Sequence, residues 1–137
     1  MQSVKDFMQS YFREFAEMRA MSLLKSEPFR QKFFTTDHLK AYNRRENEVT
    51  SFEKDNPPTI LNVDESEASA VVITAEVGFF GKSPDRYRYH LEASGESWLI
   101  RRHEKECIAC KLMGKRGDVV CKYCKGTGWL YFGPPGV

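Results

Sequence analysis

Four cysteines stand close together as Cys107-Ile-Ala-Cys110 and Cys121-Lys-Tyr-Cys124, two pairs separated by ten residues. Two residues between the members of a pair turn the backbone so that both thiolates can approach one tetrahedral ion at about 2.3 Å. Four thiolates would close the coordination shell and leave no position for a substrate or an activated water. The expected occupant is therefore one structural zinc ion per chain, held by Cys107, Cys110, Cys121 and Cys124. Zinc with four thiolates is net negative, which the nearby Lys111, Lys115, Arg116, Lys122 and Lys125 would offset. Three other chemistries compete for the same residues. Disulfides are disfavoured by the reducing cytosol. A thioredoxin-like redox pair needs a CxxC leading from a strand into a helix, and an iron–sulfur cluster ordinarily uses a tighter ferredoxin-type spacing.

The second knuckle continues as Cys124-Lys-Gly126-Thr-Gly128-Trp129. A glycine two positions past the second ligand can take positive φ and turn backbone N–H groups toward the thiolate sulfurs. Over Cys121–Gly128 the chain resembles the CxxCxGxG repeat of the zinc region of DnaJ-type chaperones. Those proteins carry four such repeats and two zinc ions, whereas here one repeat is complete. The first pair, CIACKLMG, has Leu112 where the first glycine should be and keeps only Gly114. The resemblance implies a single zinc-ribbon-like knob over residues 107–128, and carries over neither client binding nor a J-domain partnership.

The knob needs elements that hold it. Trp129, Leu130, Tyr131 and Phe132 form an apolar run closed by Gly133-Pro134-Pro135-Gly136. The run is expected to return as a strand beside residues 97–106, which puts the knob at the tip of a hairpin. The rival reading leaves residues 129–132, at the head of the 129–137 tail, exposed to dock a partner.

Upstream, Val4, Phe7, Met8, Tyr11, Phe12, Phe15 and Met18 recur at three- and four-residue steps, which predicts an amphipathic helix from about Ser3 to about Lys25. Pro28 marks the first turn of a second helix with Phe29, Phe33 and Phe34 on its buried face. Thr36 or Asp37 is expected to cap a third, carrying Leu39 and Tyr42 and running to Glu48. From Asn56-Pro57-Pro58 the period becomes alternating, and four strands are predicted near Thr59–Glu65, Ala68–Phe80, Asp85–Ala93 and Ser97–Glu106. Their short connections favour antiparallel neighbours. Val71, Ile73, Ala75, Val77 and Phe79 share the apolar face of the second strand, Tyr87, Tyr89 and Leu91 that of the third, and Trp98 and Ile100 that of the fourth. Arg86, Arg88, His90 and Glu92 mark the wetter side of the sheet.

Helices packed on a curved antiparallel sheet define an α+β fold. This order of elements resembles the nuclear transport factor 2-like fold, the cystatin-like cone, over about residues 3–106. The resemblance implies a concave sheet wrapped on the long helix, a homodimer formed through the sheet, and a cavity that members use for catalysis, for binding or not at all. Isomerases and dehydratases of that fold use a carboxylate or a His–Asp pair with tyrosines inside the cone. Tyr11, Asp37, Tyr42, Tyr87 and Tyr89 are the corresponding speculative pocket residues, although no motif assigns them. Of the histidines, His103 is expected to be a solvated strand residue, His90 part of a charged wet face, and His38 simply a neighbour of the capping Asp37. No catalytic triad or dyad emerges from the spacing.

Charge separates the two parts of the 137-residue chain. Residues 1–100 hold 13 Lys and Arg against 16 Asp and Glu, while residues 101–137 hold 8 against 3. The balance is too small for a general nucleic-acid binder, so nucleic acid is not the expected partner, although the basic knob with Tyr123 and Trp129 keeps RNA contact as an alternative. No apolar run approaches the roughly 18–20 residues a membrane helix needs. The opening MQSVKDFMQSYFREF shows no secretory pattern, so the expected location is the cytoplasm. The sequence thus points to a zinc-stabilised binding or scaffolding module without catalytic activity. A small-molecule or isomerase-like pocket in the cone is the alternative.

Overall fold

The computed structural model describes residues 1–18, 27–40, 58–77 and 84–131. Three helices come first, α1 (Val4–Met18), α2 (Glu27–Phe33) and α3 (Thr36–Lys40). Four strands follow, β1 (Thr59–Glu65), β2 (Ser69–Val77), β3 (Pro84–Ser94) and β4 (Ser97–Glu106). Then come the short β5 (Lys115–Arg116) and β6 (Val119–Val120), which pair with each other, and β7 (Trp129–Tyr131). The main sheet runs β1-β2-β3-β4-β7 with every pair antiparallel, so the protein is α+β. The boundaries expected for α1 and α3 beyond Met18 and Lys40, Tyr42 among them, lie outside the described residues.

Local chemistry starts α1 and α3. The Ser3 hydroxyl accepts the Asp6 N–H at 3.1 Å, an N-cap that opens α1. For α3 the cap is Thr35, whose Oγ1 accepts the His38 N–H at 3.2 Å, and not Thr36 or Asp37. The reason is position: Thr35 is still extended, its N–H donating to the Ile100 carbonyl at 3.0 Å, so its side chain is free to fold back over the first turn. The N-terminus is tied down in the same way, with Trp98 Nε1 donating to the Gln2 carbonyl at 3.0 Å.

The core lies between α1, α2 and the inner face of the sheet. Val4, Phe7, Met8, Tyr11, Phe12 and Phe15 present the predicted stripe of α1, and Phe29, Phe33 and Phe34 close over it. Tyr11 is its centre, with ring centroids of Phe12, Phe15, Phe29, Phe33, Phe34 and Tyr89 all within 6.1 Å. Each such side chain contributes about 1.5–3 kcal/mol on burial. Tyr87, Tyr89, Leu91, Trp98 and Ile100 face inward as expected.

On β2 the inward face is the other one. Ala70, Val72, Thr74 and Glu76 are buried, whereas Val71, Ile73 and Ala75 lie half-buried on the outer face. Register decides this, because directly opposed residues share a face. Ala70 pairs with Leu91, Val72 with Tyr89 and Thr74 with Tyr87, so the large inward rings of β3 take small residues as neighbours on β2. His103 is likewise buried, at 1% exposure, and its ring stacks on Tyr89 at 4.3 Å. A bulge at Arg101 shifts the β3–β4 register and turns His103 inward.

Candidate metal centre

β4 leads directly into Cys107, and Gly128 leads directly into β7. Glu106 pairs with Trp129, Lys105 with Leu130 and Glu104 with Tyr131, so the returning strand is formed and the cysteines sit beyond the end of a two-stranded ladder. Cys107, Cys110, Cys121 and Cys124 are all buried, their Sγ atoms lie within 4.8 Å of one another, and Ala109 and Leu130 pack against them. The Cys107–Cys121 and Cys110–Cys124 sulfurs are 3.8 and 3.6 Å apart. These match the edge of about 3.8 Å that a tetrahedron with metal–sulfur bonds of about 2.3 Å would have. They are too long for disulfides, whose bond is about 2.05 Å. Four close, buried thiols fit a metal ion.

The two knuckles are built alike around an internal two-fold relation. The Gly114 N–H donates to Cys110 Sγ at 3.3 Å and the Gly128 N–H donates to Cys124 Sγ at 3.2 Å. The Cys121 N–H donates to the Gly114 carbonyl, and the Cys107 N–H to the Gly128 carbonyl, both at 2.9 Å. Each knuckle therefore closes the other. The backbone is left-handed at matching positions, with φ of 50, 70 and 75 at Lys111, Leu112 and Gly114 and of 54, 87 and 84 at Lys125, Gly126 and Gly128. Leu112 takes the conformation that its counterpart Gly126 takes without a side chain, a strained position for a branched residue. Although burial opposes it, the Gly128 N–H, the neighbouring Cys110 thiol and the Gly126 N–H together hold the Cys124 thiol down at about 6. Cys110 is instead pushed up to about 11, by burial first. A cation would resolve that uneven sharing of protons by favouring four thiolates.

The basic residues expected around the cysteines, Lys111, Lys115, Arg116, Lys122 and Lys125, are all exposed. So are Ile108, Met113, Val119, Val120 and Tyr123.

Of the five residues expected to line a pocket, the structure describes four, and three of these lie inside the body. Tyr11 and Tyr89 are wholly buried and Tyr87 is 6% exposed. Asp37 is exposed in the first turn of α3, and Tyr42 lies outside the described residues. The interior carboxyl is Glu76, which sequence reasoning did not single out. Its Oε2 accepts the Tyr89 hydroxyl and the Thr74 hydroxyl, each at 2.6 Å. Burial pushes the Glu76 carboxyl up to about 7 against those two hydrogen bonds, and burial together with Glu76 raises Tyr11, Tyr87 and Tyr89. A glutamate at an alternating strand position ordinarily reads as outward, so only the cross-strand register with the tyrosines exposes it. His38 is buried as well, its Nδ1 3.2 Å from the Tyr131 hydroxyl, and burial with the nearby Arg102 lowers it to about 4. His90 lies on the charged outer face against Glu104.

No protein-family model matches the chain, and no curated protein or solved structure shows significant similarity to it. Among the described residues, no helix is long and apolar enough to cross a membrane. The fold and the site together define an α+β protein with a four-cysteine, metal-compatible cluster near its C-terminal end.

Proposed function

We propose that the protein is a binding or scaffolding module without catalytic activity, whose residues 107–128 form a knob closed around one structural zinc ion. The observation that carries the reading is the cluster of four buried thiols whose sulfurs lie within 4.8 Å of one another, each knuckle receiving an N–H on its second sulfur. Such a site has no open position for a substrate. Its place beyond the β4–β7 ladder gives the metal a mechanical task, clamping two strands that pair over only three residues each. The body, residues 1–106, is read as a nuclear transport factor 2-like cone, and the knob as a single unit of the DnaJ-type kind. Helices packed on one face of an antiparallel meander support the first reading. Left-handed residues at matching positions in both knuckles support the second. A homodimer and a cytoplasmic location complete the proposal. Native mass spectrometry tests it directly: one zinc per chain in a dimer is expected, and a metal-free chain would end the structural-zinc reading.

A second reading, a ligand site in the body's interior, is favoured by Glu76, a buried carboxyl in contact with Tyr89. Co-purified small-molecule mass in the same spectrum, lost in Glu76→Gln, would support it.

A further inference from the structure

The outer face of the sheet carries an arrangement distinct from the cysteine cluster. Arg88 stands directly opposite Glu104, Glu104 opposite Tyr131, and His90 opposite Arg102. Glu104 accepts from Arg88 Nε at 2.7 Å through Oε1, which also meets His90 Nε2, while its Oε2 faces Arg102 Nε at 3.2 Å. An aromatic ring backs each guanidinium. Arg88 lies 4.6 Å from the centroid of Trp129, and Arg102 lies 4.7 Å from that of Tyr131.

Both arginines use Nε toward Glu104, and the described residues offer neither Nη fork another acceptor. The side chains nonetheless reach solvent, at 27% exposure for Arg88 and 48% for Arg102, while Glu104 between them is 7% exposed. One buried carboxylate is thus shared by two guanidiniums, leaving one more positive than negative charge within this cluster. Glu106, the next acid along β4, accepts the backbone N–H of Arg86 at 2.8 Å. Because carboxylate and rings already hold the arginines, a ligand would meet two ordered forks and little of the ordering cost of free side chains.

We propose that Arg88 and Arg102 form a binding site for a phosphate monoester group on the outer face of the sheet. A carboxylate is saturated by one fork, whereas a phosphoryl group offers three peripheral oxygens that two forks can share. The arginines are diagonal neighbours across β3 and β4, about 7–8 Å apart at Cα, a separation their long side chains can span toward one such group. A polynucleotide fits less well, because Glu104 and Glu106 alternate with the arginines along the path that its phosphates would follow. The site supplies a ligand class for the module proposed above and rests on that reading only through β7, which carries both rings.

The test uses the full chain with its metal content first verified by mass spectrometry, so that failure of the metal reading is seen separately. Arginine Nε–Hε signals are followed by nuclear magnetic resonance during titration with inorganic phosphate, with O-phosphoserine, and with phosphatidylcholine vesicles containing a phosphatidylinositol phosphate. Chloride at matched ionic strength is the reference. Saturable shifts of the Arg88 and Arg102 signals are expected, with each of Arg88→Lys and Arg102→Lys weakening binding by about tenfold, since lysine keeps the charge and loses the fork. A tighter response to O-phosphoserine supports the site with a phosphorylated protein as its source, and a tighter response to the vesicles supports it with a lipid headgroup. No saturable shift, a shift that chloride reproduces, indifference to both lysine variants, or tighter binding of single-stranded RNA than of any monoester would each overturn the proposal. The wild-type titration decides by itself if a variant fails to fold.

Discussion

A Cβ added at Gly114 would lie 2.5 Å from the carbonyl oxygen of Gly126, so the two knuckles touch where Gly114 has no room for a side chain. The mirrored contact is nearly as close, 2.8 Å from a Cβ at Gly128 to the Leu112 carbonyl oxygen. Gly95 provides the control: its φ of +59 is also left-handed, but a Cβ there meets nothing within 4 Å. Gly95→Ala is expected to cost about 1 kcal/mol from backbone conformation alone. Gly114→Ala and Gly128→Ala should each cost roughly 2–4 kcal/mol, because backbone must move as well. Thermal denaturation of the three variants checks the order, and equal losses would remove the interlock from the account.

Metal removal should act locally. Cys124→Ser, or a strong chelator, is expected to release the ion and lower stability by about 2 kcal/mol or more, roughly 5–10 °C for a chain of this size. Amide exchange should rise across residues 107–131, while β2, β3 and the core around Tyr11 keep their protection. Retained metal and an unchanged melting temperature in Cys124→Ser would rule out the four-thiolate centre.

Glu76 should make the protein less stable as pH rises. Its carboxyl titrates at about 7 in the folded state against an ordinary value of 4.5. Below pH 4.5 both folded and unfolded chains hold the proton and nothing is lost. Between those values only the unfolded chain releases it, so stability falls with pH by a total on the order of 3 kcal/mol before levelling off above 7. Glu76→Gln, which cannot ionise, should abolish this slope in urea denaturation measured from pH 5 to 8. A slope that survives the substitution would assign it to other groups.

Glu104 works in the opposite direction. Burial alone would raise its carboxyl, but hydrogen bonds from His90, Arg88 and Arg102 outweigh burial and hold it well below the usual carboxylate range. A depressed carboxyl stabilises the fold above its ordinary value of 4.5, and that contribution is lost as pH falls toward the folded value. Glu104→Gln should cost about 1–3 kcal/mol at neutral pH, the worth of a charged hydrogen-bond acceptor, and should flatten the acid limb of the stability curve. An unchanged acid limb would assign that limb to other carboxylates.

The spacing of Cys107, Cys110, Cys121 and Cys124 and the stripe from Val4 to Phe15 are local patterns, and both were legible in the chain. A CxxC turn and a 3.6-residue period are set by neighbours in sequence, so they survive whatever the rest of the fold does. The strand bounds at Thr59–Glu65 and Ser97–Glu106 were legible for the same reason, as was the return of Trp129–Tyr131 beside β4. Tertiary structure decided the rest. Which face of β2 turns inward depends on a register with β3 set by the bulk of Tyr87 and Tyr89, and this buries Glu76 while leaving Val71 and Ile73 outside. The bulge at Arg101 turns His103 inward, against its reading as a solvated residue. Pairing of Glu104 with both Arg88 and Tyr131 brings together charges and rings from three strands that no sequence spacing relates. Local periodicity reports which side chains share a face of one element, but only packing against a second element determines which face is buried.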